Sequence, residues 1–260
     1  MSVWLAYNLV MNKRIACLFL LLSLPLASKE QITLTLATTN WCPYTCIDEG
    51  FSSNIVGNYV TKLLSKHNIE VKIITRPWSR AIKSAEIGQV DGLLTAIHSE
   101  APTLHFTQSP IAHFQVCFYA NKAAHWQYSE PLNLQQFVLG VIQDYGYEDQ
   151  IDQYILTNSN TERIVSLSGN EGTPRLLNML IKGRVDIIVE DKLVLNWHIK
   201  RAGINITNIV NAGCMRAKPF YLALNNFKKS HQIILNILNK EFSSLENTIM
   251  LEKIILENSL

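Results

Sequence analysis

GQVDGLLTA (Gly88–Ala96) and GRVDIIVED (Gly183–Asp191) are two versions of one pattern, about ninety-five residues apart. Each follows an amphipathic segment, opens Gly-x-Val-Asp and runs into apolar residues. A glycine at that place ends a helix in the left-handed conformation, and the valine after it enters a strand. The aspartate then stands at the start of the strand, where its carboxylate can accept bonds from loop amides, so Asp91 and Asp186 read as structural. The pair marks equivalent helix-to-strand junctions in two α/β lobes of similar build.

The segments around the two junctions repeat the same grammar. Gln31–Thr39 alternates as a strand and breaks at NWCPY; Asn54–His67 carries apolar residues at helical spacing. VKIITR reads as a strand, PWSRAIKSAEIG as a helix with Pro77 in its first turn and Gly88 at its end, and Val90–Ile97 as a third strand. The middle of the chain gives a strand at Phe137–Ile142, a turn and helix at YGYEDQIDQYIL, a strand at RIVSLS and a helix at TPRLLNMLIKG. A strand at Val185–Val189 and a helix at LVLNWHIKRAG, stopped by Gly203, complete that part. PFYLALNN (Pro219–Asn226) is a returning strand, and helices near Ser230–Ser243 and Leu245–Leu256 close the chain. Strand and helix in alternation predict mostly parallel sheets covered on both faces.

A chain of 260 residues with 48% hydrophobic and 17% charged residues is globular and long enough for one large core or two modest ones. From Met11, a basic start (Lys13, Arg14), an apolar run Ile15–Leu26 and small residues Ala27 and Ser28 have the form of a secretory signal peptide, expected to occupy 1–28. The apolar run is 12 residues long, short of the roughly 20 that span a bilayer, and Cys17 lies within its start, where it does not suit a lipid-anchored terminus. The expected product is soluble, exported to the periplasm and monomeric. Removing Met1–Ser28 takes Lys13 and Arg14 and no acid, leaving 21 basic against 21 acidic residues. That balance offers nothing to nucleic acid or an anionic membrane. Four cysteines then remain, with three possible pairings. Cys42 and Cys46 can bridge if the loop at Pro43 brings them together; Cys117–Cys214 is the less favoured candidate.

Taken in order, several short motifs resemble the bacterial extracellular solute-binding proteins of family 3, the polar amino-acid-binding type. Pro43-Tyr44 follows the opening strand as proline and an aromatic do in that family. GQVDGLLTA resembles its G-x-x-D-a strand, FTQSPI (Phe106–Ile111) its F-S-x-P-Y, and LGVIQDYGYE (Leu139–Glu148) its v-G-v-x-x-G-t-x-y. GRVDIIVEDKLV resembles its G-r-x-D-a-x-x-x-D, with the last aspartate at Asp191. The resemblance implies a two-lobed α/β fold, the periplasmic binding protein type II fold, with the ligand cleft between lobes joined by two crossing strands. Lobe one would be 29–119 plus 220–260 and lobe two 120–219, with crossings near Cys117–Ala120 and Arg216–Phe220. It implies capture of a small polar solute for an inner-membrane permease or a receptor. A sensory or accessory module and a dehydratase-like enzyme on the same fold are the alternatives.

The departures from the family pattern bear on the ligand. Family members that bind amino acids carry an arginine shortly before the F-S-x-P strand, which grips the ligand carboxylate bidentately. The corresponding segment here, AIHSEAPTLHF, holds His98 and Glu100 and no arginine, and the family's early acidic position is Asn54. Asp191 remains, which in relatives pairs with the ligand ammonium. A free α-amino acid is therefore not the expected ligand; a cation, a neutral polar solute, or a ligand held by Arg80 instead is.

Trp41 and Tyr44 follow the first strand, at the rim where open α/β sheets bind ligands, and could stack on a planar or cationic group. Trp78 and Arg80 open a helix at that rim, His98 follows the third strand, and Tyr145 and Tyr147 precede the first helix of the second lobe. Asp191 is the leading candidate contact, and its neighbour Glu190 is expected to face away. The seven histidines show no metal-ligand spacing, and neither a Gly-x-Ser-x-Gly elbow nor a phosphate loop is present. No cofactor, metal or catalysis is expected.

Overall fold

The computed structural model describes residues 31–46, 54–130, 132–147, 149–169 and 171–259; the expected signal peptide lies outside them. β1 (Ile32–Thr38), β2 (Ile69–Thr75), β3 (Gly92–Ala96), β4 (His105–Phe106), β5 (Ala112–Phe114) and β11 (Lys218–Leu224) form the first sheet. β6 (Val116–Asn121), β7 (Leu139–Ile142), β8 (Ile164–Leu167), β9 (Ile187–Asp191) and β10 (Ile209–Cys214) form the second. The first runs β2-β1-β3-β11-β4, with β5 on β11; the second runs β8-β7-β9-β6-β10. Position for position the two orders are the same. In each, three parallel strands are followed by an antiparallel strand delivered from the other lobe and an antiparallel edge.

The Gly-x-Val-Asp junctions occupy matching places in that scheme. Gly88 and Gly183 have φ of +75° and +64°, the left-handed region that glycine enters without a side-chain penalty. Asp91 donates its amide to the Thr35 carbonyl and accepts the Thr35 amide on Oδ2 at 2.8 Å. Asp186 makes the same exchange with Val138, whose amide donates to its Oδ2 at 2.8 Å. Each aspartate stitches the loop ahead of its strand to the lobe's first strand.

Seven α-helices cover the described residues of the sheets: α1 (Ile55–Ser65), α2 (Trp78–Glu86), α3 (Asp149–Asn158), α4 (Gly172–Ile181), α5 (Lys192–Ala202), α6 (Lys229–Phe242) and α7 (Leu245–Ser259). α1 starts where Asn54 accepts the Gly57 amide, and it buries Ile55, Val56, Tyr59, Val60, Leu63 and Leu64 against the first sheet. α5 starts at Asp191 and ends at Gly203, in the left-handed conformation, with Lys200 and Arg201 in its last turn, where they complement the helix dipole. β9 is buried along its whole length, as a central strand covered on both faces must be.

Periodicity did not announce β4, β5, β6 and β10, which are short or lie between loops without a periodic signal, although β6 spans the first crossing that the family resemblance implied. β6 already belongs to the second sheet, so the chain leaves the first sheet at Gln115, ahead of the expected Cys117–Ala120. The reason is that Val116–Ala120 is wholly apolar and buried between β9 and β10. The return falls between Cys214 and Lys218. Both disulfides are formed, Cys42–Cys46 within a loop and Cys117–Cys214 between β6 and β10. Among the described residues no helix is long and apolar enough to cross a membrane.

Candidate functional site

A cavity opens where the carboxyl ends of β1, β3, β7 and β9 face one another between the sheets, the place where open α/β sheets present their loops. Its empty space is about 540 Å³, counting the mouth. The first lobe lines it with Thr39, Trp41, Trp78, Thr95, Ile97, Glu100, Phe114 and Phe220, and the second with Val116, Tyr145, Gly146, Tyr147, Glu190 and Asp191. Six of these are aromatic, three are acidic, and none is a lysine, arginine or histidine.

Glu100, from the loop after β3, lies against both lobes. Its Oε1 accepts from the Trp78 indole at 3.0 Å and from the Gly146 amide at 3.0 Å, and its Oε2 from the Ile97 amide at 3.2 Å. Burial pushes its carboxyl above the usual range, against the pull of those donors. The Trp41 indole also faces Glu190 across the lobes, and Tyr145 faces Thr39.

Glu190 is the residue that the sequence misplaced. Expected to face away, it is 2% exposed and lines the cavity. Its Oε2 accepts from the Thr173 hydroxyl of α4 at 2.6 Å and its Oε1 from the Asp191 amide at 2.8 Å. Burial pushes its carboxyl up to about 7, with Asp191 adding in the same direction. The signal was present in IIVED: a carboxylate next to a helix cap at the end of a fully buried strand has no solvent face to turn to.

Asp191 also lines the cavity, but its oxygens are already engaged. Oδ1 accepts from the Leu193 and Val194 amides at 2.8 and 3.0 Å, capping α5, and Oδ2 accepts from the Gln115 amide at 2.7 Å. Burial pushes it up to about 6. Its bonds tie the first crossing segment to the start of α5.

The other sequence candidates divide. Trp41, Trp78 and Tyr145 line the cavity. Tyr44 does not reach it: the ring is buried beneath Trp41 with centroids 4.5 Å apart, and its hydroxyl donates to the His113 carbonyl at 3.2 Å. His98 points elsewhere, stacked on Phe106 at 4.2 Å with its edge toward Tyr221. Arg80 is exposed in the first turn of α2 and lines, with Ser79, Gln143, Asp144 and Ser168, an adjoining polar groove that shares Thr39, Trp78 and Tyr145 with the cavity. Tyr147 lines the cavity with its ring, while its hydroxyl accepts the Ile142 amide at 2.6 Å. Among the described residues no group of three His, Cys, Asp or Glu side chains is placed to hold a metal ion.

No family model matches the chain, and no curated protein does. Solved structures match its fold. It is similar to an ancestral amino-acid-binding protein, AncCDT-1, a precursor of cyclohexadienyl dehydratase, at 17% identity and a TM-score of 0.66, covering 88% of this chain and 96% of that one. It is similar to a histidine kinase sensor domain with similarity to periplasmic binding proteins, at 17% identity and a TM-score of 0.65 over 88% and 95% of the two chains. A third is the arginine-bound amino acid ABC transporter substrate-binding protein AbpA of Streptococcus pneumoniae, at 15% identity and a TM-score of 0.62 over 87% and 94%. The chain has the two-lobed α/β fold of periplasmic binding proteins.

Proposed function

We propose that this protein is an exported, non-catalytic binding module that captures a small polar ligand between its lobes and presents the closed form to a membrane permease or receptor. The observation that carries the reading is the cavity itself, which each lobe half-lines and across which Glu100 bonds to Gly146. A ligand contacting both walls stabilises the closed arrangement by the difference in its affinity for the closed and open states. Export rests on the form of the amino-terminal segment, and the choice between permease and receptor is the same chemistry with a different listener.

The ligand is not a free α-amino acid held in the family's manner. A carboxylate entering this cavity would meet three acids and no guanidinium, which is repulsive in a site shielded from water. Thermal unfolding of the purified protein, with and without amino acids, amines, sugars and organic acids, tests the module: a ligand of the native state alone raises Tm saturably. A well-folded sample that responds to none of these classes overturns it.

A further inference from the structure

Glu100 and Glu190 face the same cavity from opposite lobes, each fixed in place by neutral donors. The indole of Trp78 and two backbone amides hold Glu100; the Thr173 hydroxyl and one amide hold Glu190. Among the described residues, no lysine, arginine or histidine pairs with either one. What positive potential reaches them comes from helix ends, with Thr173 in the first turn of α4 and the α5 amides on Asp191. Buried carboxylates are ordinarily matched by a cation, because an uncompensated buried charge is costly. Here the protein supplies the donors that orient the oxygens and leaves the counter-charge out.

The remaining walls suit that missing partner. Trp41, Trp78 and Tyr145 present aromatic surface to the cavity, and an aromatic face attracts an ammonium or quaternary ammonium group by its quadrupole. Phe114 and Phe220 add apolar surface that would bury methylenes. Nothing in the lining can neutralise a carboxylate. We propose that the cavity selects a compact organic cation that carries an ammonium, quaternary ammonium or guanidinium group and no carboxylate, with Glu100 and Glu190 as its counter-ions. This rests on the binding-module reading and gives it a ligand class.

Paired probes that differ by one carboxylate test it: cadaverine against L-lysine and agmatine against L-arginine. Choline against 3,3-dimethyl-1-butanol, its uncharged carbon analogue, isolates the cation. Calorimetric titration is made on the purified protein and on the Glu190→Gln and Glu100→Gln variants, each checked for cooperative unfolding. The expected result is saturable binding of at least one cation, at least about tenfold tighter than its carboxylate-bearing or uncharged counterpart and weakened by about tenfold or more in Glu190→Gln. Should one variant fail to fold, the other carries the comparison. Tighter binding of the amino acids, or binding confined to sugars or organic acids, overturns the cation class and leaves a binding module standing. Affinity for the cation unchanged in both folded variants overturns the role of the two carboxylates, and no binding from any class overturns the module as well.

Discussion

Glu100 Oε1 and the Gly146 amide nitrogen stand 3.0 Å apart, joining the loop after β3 to the loop after β7. Only a glycine allows this approach. A methyl group on residue 146 would lie 2.9 Å from Glu100 Oε1 and 3.1 Å from its Cγ, so the carboxylate must shift away from the residue 146 amide. Gly146→Ala is therefore expected to favour the open arrangement. Weakening of that one bond between the lobes, at about 1 kcal/mol, predicts roughly fivefold weaker ligand binding. Small-angle scattering should show a larger radius of gyration with ligand present, while unfolding of the free protein changes little. An unchanged affinity would mean that the contact does not report closure.

Asp91 and Asp186 make the same backbone exchange, yet they should differ sharply when neutralised. Asp91 Oδ1 also receives Lys228 at 2.6 Å and the buried His231 Nε2 at 3.0 Å, and the His231 Nδ1 faces the Asn225 carbonyl at 2.7 Å. Asp91→Asn removes the charge opposite Lys228, whose side chain is largely exposed, and weakens the buried bond to His231, and is expected to cost about 1.5–3 kcal/mol. Asp186→Asn weakens one amide bond and should cost about 1 kcal/mol. Urea unfolding of the two variants decides it, and equal losses would show that the Asp91 contacts with Lys228 and His231 contribute nothing.

The two disulfides should contribute unequally. Cys117–Cys214 spans a sequence separation of 97 and Cys42–Cys46 a separation of 4. Constraint of the unfolded chain predicts a loss of about 5 kcal/mol for Cys117→Ser/Cys214→Ser and about 2 kcal/mol for Cys42→Ser/Cys46→Ser. Denaturant midpoints of the two double variants measure the difference. The reverse order would place the main effect in the native loop.

Stability of the free protein should fall between pH 5 and pH 8. Glu190 faces Thr173 of α4, Trp41, Tyr145, Tyr147, Tyr119 of β6 and Asp191, and burial raises it to about 7. A carboxyl whose pKa is higher in the fold than in the unfolded chain stabilises fully below the ordinary value of 4.5. That contribution is lost as pH rises through about 7. Asp191 and Glu100, also raised by burial, add in the same direction. Asp91 runs the other way. Burial alone would raise it, but Lys228, the Thr35 amide and His231 together lower it, so its contribution is present above 3.8 and lost in stronger acid. Tm measured against pH should decline toward pH 8 in the free protein, less so in Glu190→Gln. Affinity for an organic cation should rise over the same interval, since the cation displaces the protons. A flat Tm profile together with a flat affinity would contradict the buried carboxylates.

Much of this architecture is local and could be read directly. Strand and helix periods, Asn54 at a helix start, Gly88, Gly183 and Gly203 at helix ends, and the repeated Gly-x-Val-Asp are short-range physics. From them follow two similar α/β lobes and the rim on which Trp41, Trp78 and Tyr145 stand. The tertiary structure decided which way side chains at that rim turn, because this depends on what distant strands and the other lobe bring within reach. Tyr44 went under Trp41 and into the core, and His98 onto Phe106, because β11 brought Phe220 against the one and Tyr221 against the other. Asp191 was claimed by the amides of α5 and Gln115, and Glu190, on a strand with no solvent face, was left to the cavity. Glu100 acquired its place from Gly146, forty-six residues away. Local sequence thus determined where the ends of the strands are; the meeting of two lobes across a gap determined which charges they enclose.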